Sequence, residues 1–289
     1  MNLKGVIVAA GYGTRFLPAT KTVAKEMLPL IDRPAISFIV EEFLAAGIRD
    51  ILIITSRRKK CLDDFFDHDP ELEHVLARAG KTDALAAIEP ANARFCWVRQ
   101  REMRGTGEAI LLARTFTGGD PFIVAYPDDL VFHPVSLSLQ LADAYRQTGA
   151  SLLAVQEKAG SDLSRYGVAD PAGEGNPCPI RALVEKPAAG KQPSNLVSYG
   201  RYLFTPAIYP HLERGLAKHP GGEYYHVSAI NGLAADGQMW ALAFQGLRLD
   251  TGEPMGYLEA VCRYALTRPE WRVAAQSLFA SLAETAPPD

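Results

Sequence analysis

Residues 3–34 read LKGVIVAAGYGTRFLPATKTVAKEMLPLIDRP. Leu3 to Ala9 is a short apolar run of the kind that forms a buried first strand. Gly11-Tyr12-Gly13-Thr14-Arg15 follows it. Two glycines let a loop bend sharply and bring its backbone N–H groups close to a ligand. Arg15, Lys21 and Lys25 add three cations at short range. A glycine loop after a first strand, with spaced cations behind it, suits a polyphosphate: the N–H groups cradle oxygens while Arg and Lys neutralise charge. The loop departs from the two commonest phosphate patterns. Phe16 stands where the third glycine of G-x-G-x-x-G belongs, and no G-x-x-x-x-G-K-[ST] occurs here. Taken alone, the loop would equally suit a tight strand-to-loop turn with surface cations.

Working outward, apolar strands alternate with helices. Pro34 suits the first position of a helix over 35–46, with Gly47 just past its end. Strands are expected at 51–55, 94–98, 121–126 and 151–155, and helices at 57–66, 71–79, 106–116 and 135–147. This alternation predicts an α/β fold whose mostly parallel sheet is wrapped by helices. Its ligand should lie over the carboxyl ends of the strands, and the loops at Gly11, Gln100 and Asp128 each follow a strand. From about residue 157 the pattern changes to short strands (166–170, 180–185, 199–204) between Gly/Pro-rich stretches, making the sheet mixed. Helices are expected at 206–217, 225–235, 253–266 and 268–283, with a late strand at 240–244. The chain then divides into an α/β half, 1–156, and a smaller half of mixed strands and longer loops, 157–267, within one compact domain. Residues 268–289 form a terminal helix and a frayed tail at 286–289.

The whole opening stretch resembles the signature of the sugar-phosphate nucleotidylyltransferases. There A-A-G-x-G-T-R-x-x-P-x-T is followed by K-E-M-L-P and D-[KR]-P; here these are Ala9 to Thr20, Lys25 to Pro29 and Asp32 to Pro34. Within that family the chain is most similar, as far as about Tyr257, to the bacterial branch that uses UTP and glucose 1-phosphate. The resemblance implies a Rossmann-like, glycosyltransferase-A-like fold and transfer of a nucleotidyl group to a sugar 1-phosphate. It implies nucleotide contacts from Ala10, Gly11, Gly13, Thr14, Arg15, Lys25 and Glu26, with Arg15 and Lys25 stabilising charge at the α-phosphate. Glu26 would position the nucleoside or a lysine, or pair with a neighbour.

Further along, Gln100 offers a donor and an acceptor, which matches the imide edge of uracil or thymine. Gly105-Thr106-Gly107 would let backbone approach the base and start a helix; the family has a comparable Gln and glycine pair. Asp128, after an apolar strand, can hold Mg²⁺ or form a turn, with Asp129 as its confounder. The family pattern favours Asp128 as a metal ligand and catalytic residue, and gives Asp250 as the second acidic metal position. It also implies sugar-phosphate contacts from Gly167 of Tyr166-Gly167-Val168, from Glu185 and Lys186 of Glu185-Lys186-Pro187, and from Gly200. One region departs. The family's D-E-I-Q-L-T-D-A-I stands here as Gly222-Glu223-Tyr224-Tyr225-His226-Val227-Ser228-Ala229-Ile230. Tyr225 and Ser228 are expected to tune sugar choice or subunit contact, and His226 to pack or cap.

The chain's 289 residues, 48% hydrophobic and 22% charged, suffice for a large core. A formal net charge of −3 argues against a nucleic-acid or polybasic membrane partner. Cys61, Cys96, Cys178 and Cys262 are widely spaced; Cys96 lies in an apolar run, so buried thiols in a reducing compartment are expected. With neither a leader nor a long apolar run in view, the cytoplasm is the default. A homo-oligomer, dimer or tetramer, is expected. Three alternatives stand beside uridylyl transfer: the same reaction with dTTP, a catalytically weak paralogue that binds nucleotide-sugar and regulates a partner, and a dinucleotide oxidoreductase. The missing third glycine disfavours the last.

Overall fold

Val6 and Ile7, neighbours in the first strand, point to opposite faces of a sheet and are both fully buried. A strand covered on both faces needs helices above and below it, and a computed structural model, describing residues 2–158 and 163–284, supplies them. The first stretch runs β1 (Lys4–Val8), β2 (Pro29–Leu30), β3 (Arg33–Pro34), α1 (Ala35–Ala45), β4 (Asp50–Thr55), α2 (Cys61–Phe66), α3 (Pro70–Arg78), α4 (Thr82–Ala87), β5 (Arg94–Arg99), α5 (Thr106–Leu112), α6 (Arg114–Thr117), β6 (Phe122–Ala125), β7 (Asp129–Phe132), α7 (Leu137–Thr148) and β8 (Ser151–Glu157). The second runs β9 (Gly167–Pro171), β10 (Cys178–Glu185), β11 (Leu196–Phe204), α8 (Ile208–Lys218), α9 (Val227–Ala235), β12 (Met239–Ala243), β13 (Leu247–Asp250), α10 (Pro254–Thr267) and α11 (Pro269–Glu284). The expected tail at 286–289 lies outside the described residues.

One sheet has the order β5-β4-β1-β6-β11-β8-β12-β10-β9. β5, β4, β1 and β6 are mutually parallel, as the alternation predicts. β11 then enters antiparallel between β6 and β8, so the two halves of the sequence share a single sheet. Its Tyr202-Leu203-Phe204 end is buried and pairs with β6, while its Val197-Ser198 end pairs with β9. Between them the register on β8 shifts, and Tyr199-Gly200-Arg201 fall in the irregularity. One layer of the core lies under α1, α7 and α10 (Ile36, Phe43, Leu141, Ala260); the other lies under α5, α8 and α9 (Ile110, Leu212, Ile230). Burying each such Ile, Leu or Phe stabilises by about 1.5–3 kcal/mol relative to exposure.

Several local details differ from expectation, each for a physical reason. Pro34 precedes α1 in an extended conformation instead of opening it. Gly47 does end that helix, at φ +77°, and the next N–H, of Ile48, donates to the Phe43 carbonyl at 2.9 Å. The helix expected from residue 57 begins only at Cys61, because residues 56–60 turn Lys59 inward, where it is 5% exposed. α4, the β2–β3 hairpin and the β7–β13 ribbon lack a sequence signal of useful length. Cys96 is exposed, contrary to the expected buried thiol: β5 is the sheet's edge strand and Cys96 sits on its outer side. All four cysteines are free. No helix among the described residues is long and apolar enough to cross a membrane.

Candidate active site

The loop after β1 closes over the carboxyl end of the parallel strands. Gly13 sits at φ +67°, a region that other residues rarely adopt, and a Cβ there would press on Lys25. The Thr20 hydroxyl donates to the Gly13 carbonyl at 2.7 Å and pins the loop. Gly11 has open space where a side chain would be, so its backbone is accessible from the cleft. That cleft, about 490 Å³, is lined by Ala10, Gly11, Gly13, Thr14, Lys25, Glu26, Gln100, Gly105 and Asp128. Eight nucleotide positions implied by the resemblance therefore meet at one place, together with Asp128. Arg15 does not line it. Its Nη1 donates to the Gly252 carbonyl at 3.3 Å, and Glu253 is 3.9 Å away, which draws the guanidinium to the other bank.

Electrostatics bind these groups to one another. Lys25 Nζ donates to Asp128 Oδ2 at 2.6 Å. Burial works to lower the Lys25 pKa, but the Asp128 and Glu26 carboxylates outweigh it and the ammonium is held charged. Burial likewise works to raise Asp128, and Lys25 with Arg15 brings it below the usual carboxylate range. Glu26 takes the third of its expected roles: it pairs with Lys59, whose Nζ lies 2.7 Å from both its carboxylate oxygens and from the Ala9 carbonyl. Burial pushes the Lys59 pKa down, partly countered by Glu26. Within a run of four cations, Arg57-Arg58-Lys59-Lys60, nothing in sequence distinguishes this one.

Gln100 is buried, and its amide nitrogen donates to the Gly105 carbonyl at 3.1 Å and to Glu108 Oε2 at 2.8 Å. Both partners are pure acceptors, so the amide orientation is fixed and only Oε1 is left for a base. The Gly105–Gly107 pair also has a neighbour within the chain. A Cβ on Gly105 would fall 2.4 Å from the Tyr224 carbonyl oxygen, and Gly107 N–H donates to that same oxygen at 2.9 Å. The glycines thus seat the 222–226 segment, which carries the departure from the family pattern, against the start of α5.

The ribbon β7–β13 joins two acidic sites that sequence leaves unconnected. Asp129 pairs in register with Asp250, and Asp128 precedes β7 directly. A Cβ on Gly252 would lie 2.9 Å from Asp128 Oδ2 and 3.1 Å from Asp250 Oδ1, so both carboxylates converge on one small space. Asp129 turns elsewhere: Gly200 N–H donates to its Oδ2 at 3.1 Å and Arg248 Nε to its Oδ1 at 2.6 Å. Burial raises the Asp129 pKa, with Asp128 and Asp250 adding to it against Arg248. Arg248 also reaches Asp250 at 3.0 Å and stacks over Tyr199, 4.5 Å from its ring centre. Arg248 was invisible until β13 was known; residues i and i+2 of a strand share a face, which puts Arg248 beside Asp250.

A second cavity of about 250 Å³ adjoins the first, and Thr106, Tyr126 and Tyr225 line both. Gly167, Glu185 and Gly200, three of the positions for which the resemblance implies sugar-phosphate contacts, line it. Lys186 does not; it stands exposed just past β10 at φ +49°, its N–H donating to the Tyr166 carbonyl at 2.9 Å. Tyr225 is exposed between the cavities, its hydroxyl bonded to Glu223. Ser228 is turned away, towards Tyr224 and Gly215 of α8. His226 is buried and lines the sugar-side cavity; it packs between aromatic rings, as expected, and its side chain caps no helix. No group of three or more His, Cys, Asp or Glu side chains among the described residues could by itself hold a metal ion.

Known proteins resemble this chain in sequence and in fold. Residues 4–266 match the model of the family described as nucleotidyl transferase. A UTP–glucose-1-phosphate uridylyltransferase of Staphylococcus epidermidis is 45% identical over 270 residues, covering 92% of this chain and 93% of that one. Among solved structures, a UTP-bound UGPase from Acinetobacter baumannii superposes with a TM-score of 0.90 at 34% identity, covering 98% of this chain and all of the other. A UDP-glucose pyrophosphorylase complexed with UDP-glucose gives 0.83 at 37% identity, covering 93% of this chain and all of that one.

Proposed function

This chain belongs to the nucleotidyl transferase family, and from that premise we propose that it transfers a uridylyl group from UTP to glucose 1-phosphate, giving UDP-glucose and pyrophosphate. The observation that carries the reading is one continuous cleft. A glycine loop, Lys25 and Gln100 line its larger part, and a second cavity with Glu185 opens from it past Thr106 and Tyr126. An oxygen of the sugar phosphate attacks the α-phosphorus in line. The new P–O bond forms as the bond to the bridging oxygen breaks, and the electron pair leaves with pyrophosphate. No covalent enzyme intermediate is required; positioning and charge stabilisation carry the catalysis.

The chain's own residues take distinct roles. Backbone N–H groups of the Gly11–Thr14 loop face the phosphates. Lys25 exchanges its bond to Asp128 for the α-phosphate oxygens and neutralises charge there, with Arg15 approaching from the far bank. Gln100 Oε1 accepts from the pyrimidine N3–H. Gly167, Glu185 and Gly200 meet the sugar, and Lys186 at the mouth meets its phosphate. Asp128 and Asp250 fit a divalent ion, because their oxygens converge on one space and Mg²⁺ takes few carboxylates. When bound, Mg²⁺ supplies compact positive charge between two anionic substrates.

A homo-oligomer in the cytoplasm completes the reading; the exposed Val273, Leu278 and Leu282 of α11 support self-association. The imide edge is shared by uracil and thymine, so dTTP is the competing nucleotide. A silent regulatory paralogue would have little use for Lys25 bonded to Asp128 with Asp250 converging on the same carboxylate. The test is pyrophosphate release across the four NTPs and dTTP against several sugar 1-phosphates. UTP with glucose 1-phosphate should give the highest kcat/KM; release from no pair would overturn the enzyme reading.

A further inference from the structure

Two residues that line the sugar-side cavity each carry a polar atom buried without a protein partner: Nε2 of His226 and the hydroxyl of Tyr126. Leaving such a group unsatisfied costs about 1–3 kcal/mol, and buried polar atoms without partners are uncommon enough to need a reason. The two rings are neighbours. The imidazole is nearly parallel to the Tyr126 ring with centroids 6.2 Å apart, and edge-on to the Tyr202 ring at 4.9 Å. Its other nitrogen, Nδ1, is 2.8 Å from the Thr106 hydroxyl. That hydroxyl also influences the Tyr126 phenol without completing a hydrogen bond to it. Aromatic packing and the Thr106 contact therefore fix the ring, and His226 is only 7% exposed. An apolar side chain, such as the Leu at this place in the family pattern, would fill the same space without the cost.

We propose that His226 is a specificity-determining residue of the sugar site: its Nε2 and the Tyr126 hydroxyl together receive one hydroxyl of the hexose ring. The proposal rests on the uridylyl-transfer reading above. The chemistry of the receiving atoms selects the group. If Thr106 donates to Nδ1, Nε2 carries the proton and donates; if Nδ1 donates to Thr106, Nε2 accepts. A sugar hydroxyl both donates and accepts, so it satisfies either tautomer and the phenol together. A phosphate or carboxylate oxygen could serve only a donor. Burial also brings the imidazole pKa down to about 4, which leaves the ring neutral and gives it no charge with which to attract an anion.

The experiment measures pyrophosphate release by the full chain with UTP and either glucose 1-phosphate or its 2-, 3-, 4- and 6-deoxy analogues. It compares wild type with His226→Leu and His226→Gln. In wild type one analogue should fall about 10-fold in kcat/KM below glucose 1-phosphate, the size of a lost neutral hydrogen bond at a matched site. His226→Leu should lower glucose 1-phosphate about 10-fold and that analogue less than about 2-fold, erasing discrimination at that one position. The KM for UTP and the other three ratios should hold. His226→Gln, which retains donor and acceptor, should restore part of the preference, and it keeps the test alive if the Leu variant does not fold. Four unchanged ratios in an active variant would overturn the role of His226 and leave the reaction standing, the result expected if a buried water satisfies these atoms. No pyrophosphate from wild type with any of these sugars would overturn the reaction itself, and this role with it.

Discussion

The two ends of the cleft treat their polar groups in opposite ways. At the nucleotide end, Lys25 is bonded to Asp128, Glu26 to Lys59, and the Gln100 amide to Gly105 and Glu108. At the sugar end, His226 Nε2 and the Tyr126 hydroxyl are buried with nothing to bond. The first arrangement places charge before any ligand arrives, which is what stabilising a charged transition state requires. The second leaves a bond for a ligand with a hydroxyl in the right place to make, which favours discrimination. Away from both ends, the buried pair of Arg201 with Glu42, bonded at 2.8 and 2.9 Å, ties β11 to α1.

The largest effect should come from the charged end. Asp128→Asn and Asp250→Asn should each lower turnover by about 10²-fold or more, as loss of transition-state charge stabilisation does. If both carboxylates act through one ion, the double variant should lose far less than the product of the two. Kinetics on all four proteins at saturating Mg²⁺ decide it, and fully multiplicative losses would mean the two carboxylates work separately.

The sugar end has its own signature in stability. The ordinary pKa of His226 is 6.5, and burial lowers it to about 4 in the folded chain. Above pH 6.5 both states are neutral and nothing is lost. As pH falls below 6.5 the unfolded chain takes up a proton that the folded chain refuses, so stability drops with a slope of about 1.4 kcal/mol per pH unit until pH approaches 4. Between pH 6.5 and pH 5 this amounts to about 2 kcal/mol. His226→Leu should remove that loss, so its urea midpoint relative to wild type should improve between pH 7 and pH 5. Equal pH dependence in the two proteins would mean that the imidazole protonates in place and is not held neutral.

The same contrast governs what sequence reveals. The Gly11–Thr14 loop, Lys25 and the parallel strands are legible because each follows from local pattern: an apolar run, a glycine needing φ +67°, cations at short spacing. Asp128 and Asp250 are joined only through β7 and β13, four residues each, and no periodicity marks strands so short. Arg248 inherits that difficulty. Lys59 looks like one more surface cation because the turn that buries it is a tertiary event. Gly105 and Gly107 are recognisable as necessary, yet their neighbour, the Tyr224 backbone, comes from beyond α8. His226 reads in sequence as a packing or capping residue, and its burial beside Thr106 and the aromatic rings is a tertiary outcome.

The smallest expected effect is at Gln100, and it tests whether the nucleotide end is as fully committed as its bonds imply. A free glutamine could make two hydrogen bonds to an imide edge. Here the amide nitrogen already has two acceptors, and moving it to the base would leave Glu108 and the Gly105 carbonyl unmatched. One bond remains, from the pyrimidine N3–H to Oε1, worth about 0.5–1.5 kcal/mol. Gln100→Ala should therefore raise the KM for UTP by about 2- to 12-fold, with the Mg²⁺ dependence unchanged. The partner atom can be checked independently with N3-methyl-UTP, which lacks the hydrogen. Wild type should bind the methylated nucleotide more weakly than UTP, and Gln100→Ala should narrow the gap. A gap that is the same in both proteins would place Gln100 outside base recognition. A loss well above the one-bond range would mean that the amide nitrogen leaves its protein partners when nucleotide binds, and the nucleotide end would then share the openness of the sugar end.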